Sequence, residues 1–510
     1  MNGFYQRLRQ LHLILGLAIG LLLWLIVFAG SLSFYRAELD SWQLAAMAKQ
    51  QPVTKEQLAT KVQAATKAQD GNAIWPEPLP TAQHSAALAL THLQQKAPDA
   101  KHWYIELPQP RSPYLKLHWQ QQGERPQLYQ QFLQPETGEA LQDPLLLRFG
   151  ATEHQLGGWF FQLHYNLLQL AGSSSRTLVA FVALLWLLLS ISGLFSLKGH
   201  WRSLFKPGQQ LSGQSKKLQR HHQLALFTLP FALLFASTGW LTQMFSENNA
   251  PQQALYPDNP YQFYSELFPM QQPPIKAEGA LHALPDLTPM LQAAGEAFAG
   301  AAVGKISISA PGRSNSTVLL SSSAQSRIGN QAAFLLFQLQ PGTGNNTEKV
   351  AQLVWQQTEM AGTASPGEPQ TQSATHSSTQ SATTPFATMP LAQLRQLAYG
   401  LHQSLYANNL LRFLLFVSGL LCCWMIWLGL KAALHRLAAG RWQRLLLLLH
   451  ALPGSVVLAS VMLILQSGLW PLAWSLSSLF LLYWGLAYLL LLGWSWFRLW
   501  SGAAVRSPTQ

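Results

Sequence analysis

Six long apolar runs dominate this sequence and restrict what it can fold into. They lie at about 12–34, 177–197, 223–244, 410–430, 445–467 and 472–497. An α-helix needs about 20 apolar residues to cross the ~30 Å hydrocarbon core of a bilayer, and each run has that length. Only 11% of the residues are charged, against about 25% in a soluble domain. The sequence therefore predicts a polytopic α-helical membrane protein with about six transmembrane helices.

The distribution of charge predicts how these helices are oriented. All 21 acidic residues lie in two long segments, 35–176 and 245–409, while the segments 1–11, 198–220, 431–444 and 498–510 are basic and contain no acidic residue. Because short basic loops stay in the cytoplasm, we expect both chain ends inside and both long segments outside. The net charge of +12 is thus explained by the basic residues of the cytoplasmic segments and does not predict a nucleic-acid partner. The first run exceeds the ~7–15 apolar residues of a signal peptide, so we expect an uncleaved helix.

A repeat relates the first helix to the third. The stretch "RHHQLALFTLPFALLFASTGW" resembles "LRQLHLILGLAIGLLLWLIVFAG", with a histidine followed by a small residue four positions later and a glycine eighteen positions later. The equivalent positions are His12, Gly16 and Gly30 in the first copy and His221, Ala225 and Gly239 in the second. The neighbouring His222 matches neither spacing and remains the alternative to His221.

The second and fourth helices, and the segments between helices, repeat as well. A Leu-His pair precedes each helix, with His164 in "QLHYNLL" before Gly193 and His402 in "GLHQSLY" before Gly429. A Pro-x-Thr-Gly turn lies at 135–138 and again at 341–344, and each turn follows segments whose sequence is typical of β-strands. We therefore predict a duplicated core of helix, outer α+β module and helix. A Ser/Thr/Gln/Pro-rich insert at about 360–390 is too polar to fold by itself.

The predicted organisation has ten parts. They are a first helix (1–35), a first module (36–160), a histidine segment with the second helix (161–198), a cytoplasmic loop (199–220), the third helix (221–246), a second module (247–400), a histidine segment with the fourth helix (401–431), a second loop (432–444), the fifth and sixth helices (445–497) and a tail (498–510).

Four histidines at the membrane edges are the main candidates for a functional site. In the predicted topology His12 and His221 lie at the inner edge, and His164 and His402 at the outer edge. Two imidazoles from facing helices are what a six-coordinate haem iron needs, so the sequence predicts two haems. Zinc is less favoured, because it wants further ligands and no acidic residue lies in the apolar runs. The alternative is that each histidine is an ordinary interfacial residue.

Other residues carry weaker predictions. Arg176 and Arg412 follow the outer histidines and are candidates for pairing with haem propionates. The small residues Gly16 and Ala225 would let a flat macrocycle approach the helix backbone. His450, near the start of the fifth helix, is interpreted as structural. Nucleotide-binding and hydrolase motifs are absent from the sequence, so electrons would come from a separate donor such as a quinol or a cytosolic reductase.

These features together resemble the PepSY-associated transmembrane family, including iron-uptake membrane proteins of the PiuB and FoxB type. The resemblance rests on "LRQLHLILGLAIG", "QLHYNLL", "RHHQLALFTLPFALLFASTG", "GLHQSLY" and the two Pro-x-Thr-Gly turns, and it covers residues 1 to about 435. It implies a bacterial inner-membrane protein with two PepSY-like periplasmic modules. The chain departs from the family pattern at Ala225, in its insert and in its last two helices.

The resemblance also implies an activity. The better understood members bind two b-type haems through histidine pairs and reduce ferric siderophores at the periplasmic face, which releases ferrous iron. By position, His12 and His221 would bind the inner haem, and His164 and His402 the outer one. Two other functions remain open: a haem-free, membrane-anchored binding or regulatory protein, and a siderophore or metal permease.

Overall fold

A computed structural model describes the chain over most of its helices and strands. The described residues are 2–50, 80–121, 127–147, 155–172, 174–196, 213–247, 277–279, 286–298, 301–323, 333–340, 350–357, 390–404, 406–437, 443–470 and 474–504. The turn predicted at 341–344 and most of the insert predicted at 360–390 lie outside these residues.

The described chain contains eleven α-helices. They are α1 (Asn2–Ser33), α2 (Arg36–Gln50), α3 (Ala82–Lys96), α4 (Leu156–Asn166), α5 (Ser174–Ser196), α6 (Gly213–Glu247), α7 (Thr288–Ala297), α8 (Pro390–Gln403), α9 (Asn409–Leu437), α10 (Gln443–Leu469) and α11 (Leu476–Ala504).

Eight strands lie in two groups of four between these helices. The first group is β1 (His102–Glu106), β2 (Leu115–Gln120), β3 (Leu128–Leu133) and β4 (Leu145–Leu147), between α3 and α4. The second group is β5 (Val303–Ser309), β6 (Thr317–Ser322), β7 (Phe334–Gln340) and β8 (Val350–Gln357), between α7 and α8.

Six of the helices, α1, α5, α6, α9, α10 and α11, are long and apolar enough to cross a membrane. Their apolar parts coincide with the six runs predicted from the sequence. Four of them form a closed ring in which α1 packs against α5 and α9, and α6 packs against the same two helices. Buried side chains from all four, among them Trp24, Trp186, Phe235 and Cys422, fill the centre of this bundle. The pair α10 and α11 forms a hairpin beside it.

The predicted histidine segments are separate short helices. His164 lies in α4 and His402 in α8, and neither helix is continuous with the long helix that follows. The chain leaves α4 through Leu167, Leu168 and Gln169, all in the left-handed region at φ 51–58°. Such angles are uncommon for residues with a side chain. The connection between α4 and α5 continues to Gly172, which is also left-handed at φ 59°, but its first three left-handed residues are neither glycine nor proline.

The two groups of strands form one antiparallel sheet, in the order β4-β3-β2-β1-β5-β6-β7-β8. Strands β1 and β5 join the groups, with His102 opposite Ser309 and Ile105 opposite Ile306. The sequence analysis predicted two small modules, and it did not foresee that their first strands pair. The shared sheet makes one layer out of segments that are about 200 residues apart in the chain.

One face of the sheet carries its hydrophobic core. Alternate residues such as Trp103 and Ile105 on β1 and Ile306 on β5 are at most 2% exposed and pack against α3 and α7. The turn predicted at 135–138 is present, with Gly138 at φ +73° and its N–H donating to the carbonyl of Gln134 at 2.8 Å. The sheet lies at the end of the bundle where α1 leads into α2.

Candidate metal centre: two pairs of facing histidines

The end of the bundle nearest the sheet holds His164 and His402, here called the sheet-side pair. Their imidazole rings are nearly parallel, at 5.7 Å between centroids and 16° between planes. The two Nε2 atoms face each other at 3.4 Å. Helix α4 brings one ring and α8 the other, so the pair forms between the two halves of the chain.

The opposite end holds His12 and His221, called the far-side pair. Their ring centroids lie 6.5 Å apart, with 64° between the planes. His222 lies next to His221, at 5.7 Å between centroids. The structure therefore brings His221 to His12, as the repeat favoured, and places the alternative His222 beside the pair.

The two pairs are separated along the bundle axis. His12 and Gly30 are both on α1, eighteen residues apart, and Gly30 contacts His164 of the sheet-side pair. At 1.5 Å per residue, eighteen residues of α-helix span about 27 Å. This is close to the ~30 Å thickness of a hydrocarbon core, so the pairs lie near opposite faces of a bilayer that the bundle spans.

Backbone carbonyls fix one histidine of each pair. His164 Nδ1 lies 2.9 Å from the carbonyl oxygen of Ile26 on α1, and His221 Nδ1 lies 2.8 Å from that of Met425 on α9. A carbonyl oxygen only accepts hydrogen bonds, so each Nδ1 must donate. The lone pair of each ring is therefore on Nε2.

Hydroxyl groups fix the other two histidines. Ser192 donates its proton to the carbonyl of Leu189 at 2.9 Å, and its oxygen lies 2.9 Å from His12 Nδ1. Thr238 likewise donates to the carbonyl of its own helix, and its oxygen lies 3.0 Å from His402 Nδ1. Each hydroxyl has used its proton, so it accepts from Nδ1–H.

All four rings are thus in the same tautomer, with the Nε2 lone pair free. In the sheet-side pair the two lone pairs point at each other over 3.4 Å, an arrangement that repels unless a cation lies between them. Histidines that bind metals usually donate their other N–H to a carbonyl or a similar acceptor, which orients the ring. The four histidines meet this condition.

Each imidazole also lies against a glycine of the neighbouring helix. The closest distances from an ideal Cβ built on the glycine to an atom of the histidine ring are 2.7 Å for Gly30 with His164, 3.3 Å for Gly193 with His12, 3.0 Å for Gly239 with His402 and 2.8 Å for Gly429 with His221. The repeat identified these glycines, but it related each to a histidine nearby in sequence order. The sequence spacing did not indicate that Gly30 contacts His164 or that Gly193 contacts His12.

Burial keeps the sheet-side histidines neutral. It lowers the pKa of His402 to about 3, with a further contribution from His164, and it lowers the pKa of His164, which the bond to Ile26 opposes. A neutral imidazole is the form that binds a metal. Both rings are therefore ready to act as ligands over the physiological pH range.

These residues fit the predicted haem iron. The Nε2 atoms of His164 and His402, 3.4 Å apart, would hold one haem iron, which would supply a one-electron redox couple there. Two protein ligands suffice for an iron that already has four porphyrin nitrogens. Among the described residues no three His, Cys, Asp or Glu side chains are grouped for metal binding.

The small residues near the far-side pair also fit. A methyl group on Gly16, one turn from His12, would meet no heavy atom within 4 Å. Within the described part of the chain, therefore, nothing fills this position on α1, and a flat ring could lie there. Ala225, at the equivalent position after His221, is partly exposed.

The two arginines proposed as propionate partners have contacts with the protein. The Arg176 guanidinium lies over the ring of Tyr165 at 4.7 Å, beside His164. Arg412 is 5% exposed; it donates to the carbonyl of Ala407 at 2.8 Å and pairs with Glu38 at 3.3 Å. Arg176 thus contacts the residue that follows His164 in the chain, whereas Arg412 joins an ion cluster between the bundle and the sheet.

The remaining described histidines whose side chains are placed bond to polar groups of the sheet layer. His84 lies 3.0 Å from the carbonyl of Glu136, His92 lies 2.8 Å from Gln131, and His118 lies 3.0 Å from the side chain of Gln130. His102 bonds to Ser307 at 2.8 Å. No metal-binding role was predicted for these four residues, and their contacts give a structural account of each. His200 lies outside the described residues.

Comparison with known protein families identifies the family to which this arrangement belongs. A model of the PepSY-associated transmembrane region matches residues 9–436. The chain belongs to the PepSY-associated transmembrane family. The match spans both histidine pairs of this PepSY-associated protein and the whole sheet, and it ends before the α10–α11 hairpin. No curated protein sequence matches the chain.

Family membership agrees with the six apolar helices. This PepSY-associated protein is a multi-pass helical membrane protein that carries an antiparallel sheet at one end of its bundle.

Proposed function

We propose that this protein is a membrane oxidoreductase that binds two b-type haems, one at each histidine pair, and reduces a ferric siderophore or another ferric chelate. One observation carries the proposal: His164 and His402 direct their Nε2 lone pairs at each other over 3.4 Å, while the protein holds each ring through Nδ1. The far-side pair repeats the same tautomers about 27 Å away along α1.

A bound haem supplies a one-electron iron couple at each pair. The residues of the chain hold the imidazoles neutral, fix their rotation and exclude water through the buried core around Trp24 and Phe235. Electron transfer needs proximity and matched potentials, so no acid, base or nucleophile is required. This agrees with a sequence that lacks hydrolase and nucleotide-binding motifs.

The direction of transfer follows from the charge distribution. Basic loops without acidic residues flank the end of the bundle with His12 and His221, and such loops stay in the cytoplasm. We place the protein in a bacterial inner membrane, with both ends of the chain cytoplasmic and the sheet in the periplasm. The sheet then consists of two PepSY-like modules, one from each half of a duplicated core.

The overall reaction balances with a two-electron donor. A quinol oxidised to its quinone gives one electron to each of two ferric ions and releases its two protons to water, so one quinol reduces two ferric ions. A cytosolic reductase acting at the far-side pair would balance in the same way. Reduction weakens the hold of a hard-oxygen chelator on the metal, which releases ferrous iron near the sheet.

The first test is a reduced-minus-oxidised absorption spectrum of the purified protein, with a haem-to-protein ratio. We expect low-spin b-type bands at two haems per chain. His164→Ala or His402→Ala should remove one haem, and His12→Ala or His221→Ala the other. Two matched controls, His222→Ala and His84→Ala, should retain both. A protein without haem after expression with ample haem supply contradicts the proposal and leaves a membrane-anchored binding protein.

The second test is single-turnover oxidation of the reduced protein by a ferric hydroxamate, with a ferrous trap in solution. We expect the haem bands to reoxidise as the trapped ferrous ion appears, in equal amounts. Uptake of intact chelate into vesicles without reoxidation would indicate a permease instead.

A further inference from the structure

The C-terminal hairpin of α10 and α11 is a structural unit that the family match does not include. Its two helices pack along each other, and Trp484 Nε1 donates to Ser455 Oγ at 3.0 Å between them. Leu491 lies close to Gly454, at 3.2 Å from an ideal Cβ built there. Outside the hairpin, α10 packs mainly against α2 and also touches α1 and α9.

The hairpin contacts the helix that carries His164. Trp159 of α4 is 1% exposed, and its Nε1 donates to Ser477 Oγ of α11 at 3.0 Å. Its ring lies 4.8 Å from that of Phe480, also of α11, between centroids. Trp159 precedes His164 by five residues, about one and a half turns. The indole therefore ties the hairpin directly to the helix of the sheet-side ligand.

A second contact reaches α4 through α2. Trp42 of α2 lies over Gly468 of α10, where any Cβ would overlap the indole, and its Nε1 donates to the carbonyl of Ile464 at 3.3 Å. Helix α2 in turn holds the first turn of α4. Asp40 Oδ1 accepts from the N–H of Gly157 at 2.7 Å.

Helix α4 depends on such contacts for its position. It has eleven residues, fewer than the ~12–15 that an isolated helix needs for even marginal stability in water. It ends in the left-handed residues 167–169, so α5 does not continue it as a rigid rod. In the other half, α8 with His402 packs against α6, as α4 packs against α1, and the hairpin contacts come in addition to this on the α4 side.

We propose that the α10–α11 hairpin is a brace that fixes the position of α4, with Trp159 as the positioning residue that sets the placement of His164 relative to His402. The brace acts on the sheet-side pair and not on the far-side pair. The spectroscopic test of this brace depends on the proposed haem sites. The effect of the brace on hydrogen exchange in α4 does not depend on them.

The test compares three variants in the full-length protein. Trp159→Phe keeps a ring against Phe480 but loses the bond to Ser477, Ser477→Ala removes the same bond from the other side, and Trp159→Ala removes the ring as well. A hydrogen bond contributes about 1 kcal/mol, so we expect roughly fivefold more frequent opening of α4 in the first two variants. Hydrogen–deuterium exchange of α4 peptides measures this whether or not haem is bound. Trp159→Ala should show a larger effect.

The haem readout separates positioning from general stability. The low-spin EPR signal of a bis-imidazole haem depends on the angle between the ligand planes. We expect the signal and midpoint potential of the sheet-side haem to shift in Trp159→Phe while those of the far-side haem stay unchanged. The matched control is Trp484→Phe, which loses the same kind of bond inside the hairpin and should leave α4 exchange unchanged.

Two outcomes would overturn the brace. One is unchanged α4 exchange in a folded Trp159→Ala protein, and the other is an equal shift of both haem signals. If no haem binds at all, the proposed function fails, but the exchange data still decide whether the hairpin holds α4.

Discussion

Gly429 lies so close to His221 that a methyl group in place of its hydrogen would be 2.8 Å from the ring. The imidazole of α6 therefore occupies the space of the side chain that α9 lacks. His12 has the same relationship with Gly193, and each sheet-side histidine has it with a glycine of α1 or α6. The four sites share one design, in which a glycine admits the ring and an acceptor on the same helix orients it.

Gly429→Ala is expected to displace His221 and to weaken or abolish the far-side haem while the sheet-side haem remains. In most helices Gly→Ala stabilises by about 0.5–1 kcal/mol, so a loss here has a steric cause. The matched control is Gly485→Ala on α11, where an added methyl meets nothing within 4 Å. Haem content and difference spectra measure the effect, and equal haem content in both variants would contradict it.

Thr238→Val keeps the shape of the side chain but removes the acceptor for His402 Nδ1. Without this acceptor the ring no longer has a fixed rotation or tautomer. Loss of a group that orients a metal-binding histidine costs about 10–100-fold in metal affinity. We expect faster haem loss from the sheet-side pair to an apo-myoglobin trap. Ser237→Ala is the control on the same helix, because Ser237 bonds back to the carbonyl of Leu233. Similar haem-loss rates in both variants would show that the bond to His402 has no role.

Glu38→Gln is expected to loosen the sheet from the bundle. The Glu38 carboxylate accepts from Arg111 of the sheet layer at 2.8 and 2.9 Å and pairs with the buried Arg412 of α9 at 3.3 Å. Glu38 is 35% exposed, so we expect a loss of about 1 kcal/mol, at the low end for charged groups. Limited proteolysis of the sheet layer measures this.

Asp99→Asn is the control for Glu38→Gln. Asp99 is 76% exposed and pairs with Arg313 at 3.5 Å, and surface pairs contribute little. A proteolysis rate in Glu38→Gln no higher than in Asp99→Asn would contradict the proposed link.

Acid is expected to destabilise the sheet through His102. Burial, followed by the charge of Lys101, lowers the pKa of His102 to about 4, below its ordinary value of 6.5. The unfolded chain therefore takes up the proton first. The contribution of His102 to the free energy of unfolding is therefore complete above about pH 6.5 and is lost as the pH falls towards 4. We expect His102→Gln to reduce the fall in sheet stability between about pH 7 and pH 5, measured by denaturant unfolding.

His118 contributes in the same direction, because burial lowers its pKa to about 4 as well. The double variant His102→Gln/His118→Gln should therefore show the smallest pH dependence. A pH dependence in that variant equal to that of the unmodified protein would assign acid sensitivity to other groups.

The six spans could be predicted because about 20 consecutive apolar residues have few other stable states. The histidines and glycines could be picked out because duplication leaves them at equal spacings in the first and third helices and at similar spacings, 29 and 27 residues, in the second and fourth. Their contacts could not be predicted, since spacing along α1 does not report which neighbouring helix faces Gly30. The carbonyl groups of Ile26 and Met425, which orient two of the rings, leave no signal in the sequence at all.

The joining of the two strand groups was also beyond sequence reasoning. Each group could form a small sheet by itself. Nothing in the sequence of β1 or β5 indicates that it is a central strand and not an edge strand. The sequence analysis kept the His164 segment apart from the second membrane helix, but the angles between them were not foreseeable, because Leu167 and Leu168 are ordinary helix formers that adopt left-handed angles here.

The pairing of β1 with β5 has a consequence for biosynthesis. Val303 enters the chain 197 residues after Glu106, which at ~5–20 residues per second is a delay of roughly 10–40 s. During that time β2, β3 and β4 can assemble on β1, but the other side of β1 stays an open hydrogen-bonding edge. Open edges recruit foreign strands, so a nascent chain is exposed to mispairing until β5 has been synthesised and has paired with β1.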